Sequence, residues 1–321
     1  MTNKERYIEF CKKENTIPVF SKNWWLDAVC DGAENWDVAI VENGGKVMAS
    51  MPYYAKRQYG FTKITQPPLT QTLGPWLRPT KVKNAKVLAE QKKLMESLID
   101  QLPDFDHFVQ SWNHQNSNWL PFYWHGFDQT TRYTYILPDL TDEDVIWSGL
   151  QANIRTDIRK AENRFNLKIR DDIGLDDFLQ LNKMIFKRQG MSLPYSKEFV
   201  HRLDAACNNH HCRKIWIAED TDGRQHAGVY IVWDEHSAYY LMGGGDPELR
   251  NSGATSLCML HAIRHAATVT RRFDFEGSMI EPVERFFRAF GSVQTPYFSI
   301  SKTPSRLLRM RDAMKLVIKP S

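Results

Sequence analysis

Between Tyr239 and Ala266 the chain reads YYLMGGGDPELRNSGATSLCMLHAIRHA: an apolar run, three glycines, an arginine, a fourth glycine and a helix-forming run. Glycines let backbone amides approach a ligand closely, and a helix start offers unpaired N–H groups at its positive dipole end. Arg250 adds a fixed cation. This pattern suits a phosphate or pyrophosphate held at Arg250, Gly253, Ala254 and Thr255, with amides of Met242, Gly243 and Gly244 at the strand end. A dinucleotide fingerprint is excluded, because Glu248 stands where its third glycine belongs. A nucleoside-triphosphate loop is excluded as well, since Gly253-Ala254-Thr255 contains no lysine.

A second group is carboxylic. In RRFDFEG, Asp274 and Glu276 alternate with Phe273 and Phe275, so a strand here would turn both acids to one face. Such a pair could take the proton an amine nucleophile must lose; the structural alternative is salt bridging to nearby arginines. Tyr297 is the weaker candidate for a general acid. Arg155 and Arg159, with Lys160 and Arg164, share the polar side of a helix and are either solvated or contacts for an anion or a tRNA backbone. Lys56 and Arg57 end a strand, where they could meet a nucleotide-sugar diphosphate.

Metal binding is not expected. Cys207 and Cys212 with His210 and His211 lack a second ligand pair, and His261 and His265 lack a third ligand. The aromatic run NWLPFYWHGF reads as interdomain core rather than a sugar platform, and SRLLRMRDAMKLVIK as a basic amphipathic helix docked at the terminus.

The elements that must position these residues follow from periodicity. KIWIAED, AGVYIVWD and SAYYLMG are strands joined by turns too short for parallel crossovers, so they form an antiparallel meander running into the glycine-rich turn. Before them come a helix near Asn153–Arg164, with Leu150, Ile154, Ile158, Ala161 and Phe165 on one face, the strand LKIR, and helices around Asp176–Gln189 and Lys197–Cys207. After them come a helix, the strand RRFDFEG, the helix VERFFRAF and the strand VQTPYFSIS.

The chain repeats itself. PVFSKNWWLDAVC resembles PYSKEFVHRLDAAC, and FYWHGFDQT aligns with FRAFGSVQT in a register that lays FVQS on FDFE. Residues 1–143 and 144–321 are the expected domains. In the first copy, ITQPPLTQTLGPW stands where the second has its glycine-rich turn, and its prolines remove the amides a phosphate would need. A donor site is therefore expected in the second domain, with the first on the acceptor side.

The order of elements, with ANIRTDIRKAENR, GGGDPELRNSGA, RRFDFEGS and VERFFRAFG, resembles the Fem-type branch of the GNAT superfamily. The resemblance implies an α+β fold of two tandem GNAT domains, each a mixed, largely antiparallel sheet flanked by helices. It also implies transfer of an acyl group to an amine of a cell-envelope or polysaccharide precursor, a sugar or peptide that can be nucleotide-linked. Acyl-CoA is the first expectation for the donor, as substrate and not as tightly bound cofactor. The alternative is aminoacyl-tRNA, with a peptidoglycan-type acceptor. Two departures bear on that choice: the long helical arm of some Fem enzymes has no counterpart here, and Thr255 interrupts the GNAT pyrophosphate motif that Arg250 and Gly253 begin. A non-catalytic binding protein keeping the fold is the rival from another class.

Composition agrees with a globular, two-domain protein: 321 residues, 42% of them hydrophobic, carrying a formal charge of +4. No apolar run reaches the ~20 residues of a membrane helix. MTNKERYIEFCKKEN is too charged for a signal peptide, and five scattered cysteines suit a reduced, cytoplasmic setting.

Overall fold

The structure, a computed structural model, describes residues 1–80, 84–188, 190–277 and 279–318. Gln189 and Lys319, ends of two expected helices, lie outside the described residues. The chain forms two compact units: Met1–Arg132 together with the segment from Pro296 onward, and Tyr133–Thr295.

The first unit holds α1 (Asn3–Cys11), α2 (Asn23–Val29), β1 (Trp36–Asn43), β2 (Lys46–Gln58), β3 (Phe61–Thr65), β4 (Trp76–Leu77), α3 (Asn84–Ile99), β5 (His107–Ser111), α4 (Leu120–Trp124) and the start of β6 (Asp128–Leu137). The second holds the rest of β6, α5 (Glu143–Gly149), α6 (Ala152–Asn163), β7 (Lys168–Arg170), α7 (Leu175–Arg188), α8 (Lys197–Asn209), β8 (Arg213–Glu219), β9 (Gln225–Trp233), β10 (Ala238–Gly245), α9 (Ala254–Val269), β11 (Phe273–Asp274), α10 (Glu281–Arg288) and the start of β12 (Val293–Lys302). The end of β12 and α11 (Arg306–Ile318) return to the first unit.

The units are built alike. In the first, β1, β2 and β3 are an antiparallel meander, β3 runs parallel to β5, and β5 pairs antiparallel with the end of β12. In the second, β8, β9 and β10 are the meander, β10 runs parallel to β11, and β11 pairs antiparallel with the end of β6. The last strand of each copy thus completes the sheet begun by the other copy. The registers agree residue by residue: Phe108 faces Lys302 and Val109 faces Ser301, while Phe273 faces Leu137 and Asp274 faces Ile136. The shift that carries Phe108 to Phe273 also carries Leu137 to Lys302. This exchange explains why the units change at Arg132/Tyr133, not at 143/144. A terminal strand needs a partner edge, and its partner lies in the other copy.

Helix ends follow the local chemistry. Asp142 caps α5 by accepting N–H bonds from Asp144 and Val145, and Ser196 Oγ caps α8 by accepting from Phe199 N. The expected face of α6 is buried at Leu150, Ile154, Ile158 and Ala161, with Phe165 partly so, in a core shared with α9, β8 and β9. Phe122 and Phe127 of the aromatic run lie in the core of the first unit, whereas Tyr123 and Trp124 are exposed.

Candidate functional site

Strand β10 changes character halfway along. It pairs with β11 only at Ala238 and Tyr239, and its register against β9 shifts between Tyr240 and Met242, leaving Leu241 as an extra residue. Such a bulge re-aims the strand's amides. Ala238 donates its N–H to Arg272 O at 2.9 Å, so even-numbered residues before the bulge turn toward β11. Beyond the bulge Asp246 donates to His226 O beside β10 at 2.9 Å, so parity is reversed and Gly243 turns away from β9. Its carbonyl accepts Asn182 Nδ2 of α7 at 2.6 Å in place of a strand partner. The Gly243 N–H shares that heading, into the wedge that opens where β10 and β11 part.

Asn182 is itself fixed. Tyr195 Oη donates to Asn182 Oδ1 at 3.0 Å and lies 3.5 Å from Met242 Sδ. A Cβ on Gly244 would sit 2.7 Å from Asn182 N, so this glycine admits α7 rather than a ligand. At Gly243 a Cβ would strike the Tyr240 hydroxyl. The polar Asn182 stands one turn from Phe178 on the buried face of α7, and that oddity is the sequence signal by which it could have been found.

On the other side of the wedge the expected strand is cut short. β11 ends at Asp274, because Glu276 adopts φ 63° and Gly277 follows it in the left-handed region. A side chain at Gly277 would meet Tyr133 O at 2.2 Å, so only glycine lets the chain pass. Asp274 and Glu276 therefore do not share a pleat face as alternation predicted. They meet through a turn, in which Glu276 N donates to Asp274 Oδ1 at 2.8 Å. Thr134 Oγ1 donates to the same carboxylate oxygen. Neither acid has an arginine partner among the described residues. Burial pushes the Asp274 carboxyl up to about 6, against the pull of the Thr134 and Glu276 N–H bonds. Glu276 is raised well above the usual carboxylate range by burial and then by the charges of Asp274 and Asp234. Tyr239, whose hydroxyl donates to Asp234 Oδ2 at 3.1 Å, completes this acidic cluster.

These directions predict a pH-dependent stability. A carboxyl raised in the folded state stabilises the fold at low pH and loses that contribution as pH rises through its folded value. Replacing Asp274 with Asn should improve stability relative to wild type by about 2 kcal/mol between pH 4.5 and pH 8, a shift of that size being worth ~1.4 kcal/mol per unit. Thermal melts across that range check it, and a constant difference would remove the buried-charge explanation.

The turn after β10 leads through Arg250–Ser252 to Gly253, at φ 82°, and into α9. A Cβ on Gly253 would meet Asp157 O of α6 at 2.1 Å, so this glycine serves both the left-handed turn and close helix packing. Ser252 Oγ accepts Ala254 N at 3.4 Å. Ala254 is buried, whereas Thr255 and Arg250 are exposed, and Arg250 makes no ion pair among the described residues.

Arg155 donates to the carbonyls of Ser148 at 3.2 Å and Leu150 at 2.5 Å, closing the end of α5. Arg159 lies over the Trp147 ring. Lys56, Arg57 and Tyr297 belong to the first unit. In that unit β3 runs into Pro67 and Pro68, and among the described residues no helix begins between those prolines and Asn84. No group of three or more His, Cys, Asp or Glu side chains among the described residues could hold a metal.

Residues 148–287 match the family described as "Acetyltransferase (GNAT) domain". No curated protein sequence matches the chain. Among solved structures, FemX is similar with TM-score 0.64 at 12% identity, covering 93% of this chain and 96% of that one. The C-terminal domain of a putative lysylphosphatidylglycerol synthetase from Agrobacterium fabrum gives 0.56 at 11% identity, covering 98% and 96%. L-PGS from Bacillus licheniformis gives 0.51 at 10% identity, covering 89% and 90%. At these identities the likeness is one of fold, and it runs along nearly the whole chain.

Proposed function

We propose that this GNAT-superfamily acyltransferase moves an acyl group from acyl-CoA to an amine of a cell-envelope or polysaccharide precursor. The observation that carries the reading is the parting of β10 and β11 beyond Tyr239 and Asp274, with the Gly243 N–H on one strand and the Asp274–Glu276 turn on the other. The thioester carbonyl would accept from that N–H, so that charge developing on its oxygen meets a fixed dipole. The amine nitrogen attacks the carbonyl carbon and a C–N bond forms. The C–S bond then breaks, and the sulfur leaves as the thiolate of CoA. Glu276, with Asp274 beside it, takes the proton the amine gives up, and the thiolate is protonated to the free thiol. Thioesters are already activated, so holding the two reactants together supplies much of the rate.

The donor's pyrophosphate would lie on the first amides of α9 with Arg250 beside it. A second reading, aminoacyl-tRNA as donor, draws support from Thr255, a branched side chain at the second position of α9. The longest helices among the described residues have 16 residues, so the long arm of some Fem enzymes has no counterpart among them, which favours CoA. Calorimetric titration with acetyl-CoA tests the choice. Micromolar binding is the expected result. Silence toward CoA with salt-dependent binding of charged tRNA would overturn it in favour of the second reading; silence toward both would leave a binding protein without transfer.

A further inference from the structure

One end of the first unit gathers exposed apolar side chains and cations. Helix α11 shows Leu307, Met310 and Met314 at 65%, 59% and 58% exposure, although Leu308 between them is buried. The spacing of three and four residues puts the exposed three on one stripe, away from the side that docks. Arg306, Arg309 and Arg311 punctuate the same turns and are exposed. The tip between β2 and β3 offers Tyr59, at 89% the most exposed aromatic ring, with Lys56 and Arg57 just before it.

The two features are held together through one residue. Asp106 accepts Thr62 N on its carboxylate at 2.8 Å and donates its own N–H to Thr62 O at 2.8 Å. Its carbonyl accepts Ser305 N at 3.5 Å, immediately before α11. His107 Nδ1 and Thr303 Oγ1 add a contact at 2.9 Å. The basic hairpin and the amphipathic helix therefore emerge side by side.

We propose that this face docks the protein on an anionic phospholipid surface. Exposed leucine and methionine gain nothing from a nucleic-acid backbone, but they gain by entering the acyl boundary of a bilayer. Flanking arginines and lysines can lay their stems along that boundary and keep their charges at the headgroups. The tyrosine at the hairpin tip suits the same depth, one end apolar and the other wet. The mode is lying on the surface, since no helix among the described residues is long and apolar enough to cross a membrane.

Vesicle sedimentation tests the proposal, with large vesicles of phosphatidylcholine alone or mixed with phosphatidylglycerol. The intact chain should partition onto the anionic vesicles, less so as salt rises, and onto the neutral ones weakly. Replacing Arg306 and Arg309 with Gln should lower anionic partitioning roughly 30-fold, from the worth of two basic residues near such a surface. Leu307→Gln with Met310→Gln and Met314→Gln should abolish it while the thermal melt stays unchanged. Absence of partitioning by the intact chain would overturn the proposal, as would apolar variants that bind like wild type. So would light scattering that shows a dimer dispersed by those variants, or salt-dependent tRNA binding lost with the arginines while vesicles are ignored.

Discussion

Replacing Glu276 with Gln is expected to lower turnover about 100–10,000-fold, the range for losing a positioned general base. The position departs from ordinary strand geometry: φ 63° at a non-glycine residue, next to a glycine that cannot be replaced without striking Tyr133 O. Strain of this kind is retained where the surroundings over-determine it. Burial and the neighbouring charges of Asp274 and Asp234 raise the Glu276 carboxyl, so its basic form is reached later in pH than for a free glutamate. The wild-type rate should therefore rise with pH as Glu276 and the amine lose protons. The deficit of the variant should shrink at high pH, where the amine deprotonates unaided. A pH–rate profile beside a thermal melt decides the matter. Wild-type turnover in a destabilised variant would assign Glu276 to structure alone.

Arg250→Ala is expected to weaken donor binding by about 1.5–3 kcal/mol, the worth of a hydrogen bond to a charged group. That corresponds to roughly 10–150-fold in the dissociation constant. The guanidinium is exposed and has no carboxylate partner among the described residues, so it is available to an anion. Exposure also means that salt should narrow the difference between wild type and variant, because solvent ions screen such a contact. Calorimetry at low and high salt measures both effects. An unchanged dissociation constant with intact folding would remove Arg250 from the donor site.

Much of this protein was legible from residue order. The meander, the helix after Gly253 and the face of α6 are local patterns of apolar spacing, turn residues and glycine, and each forms where those patterns place it. The duplication was legible as well, because insertion-free intervals kept Phe108 and Phe273 in register. The control provided by Pro67 and Pro68 was equally local, since a missing N–H is a property of the residue.

What the residue order could not specify was which edge each terminal strand would meet. Nothing in VQTPYFSISK distinguishes β5 from β11 as partner, because backbone hydrogen bonds are the same to either. Only the assembled sheets decide that β12 completes the first unit and β6 the second. The wedge is likewise tertiary. FDFEG alternates like a strand, but Gly277 passes against the Tyr133 backbone and turns Glu276 out of the ladder, so the two acids meet by a turn instead of a pleat. Asn182 reaches Gly243 across 61 residues of sequence, and that contact exists only because Gly244 lets α7 approach. Local chemistry chose the elements; close packing at three glycines, Gly244, Gly253 and Gly277, chose how they face the candidate site.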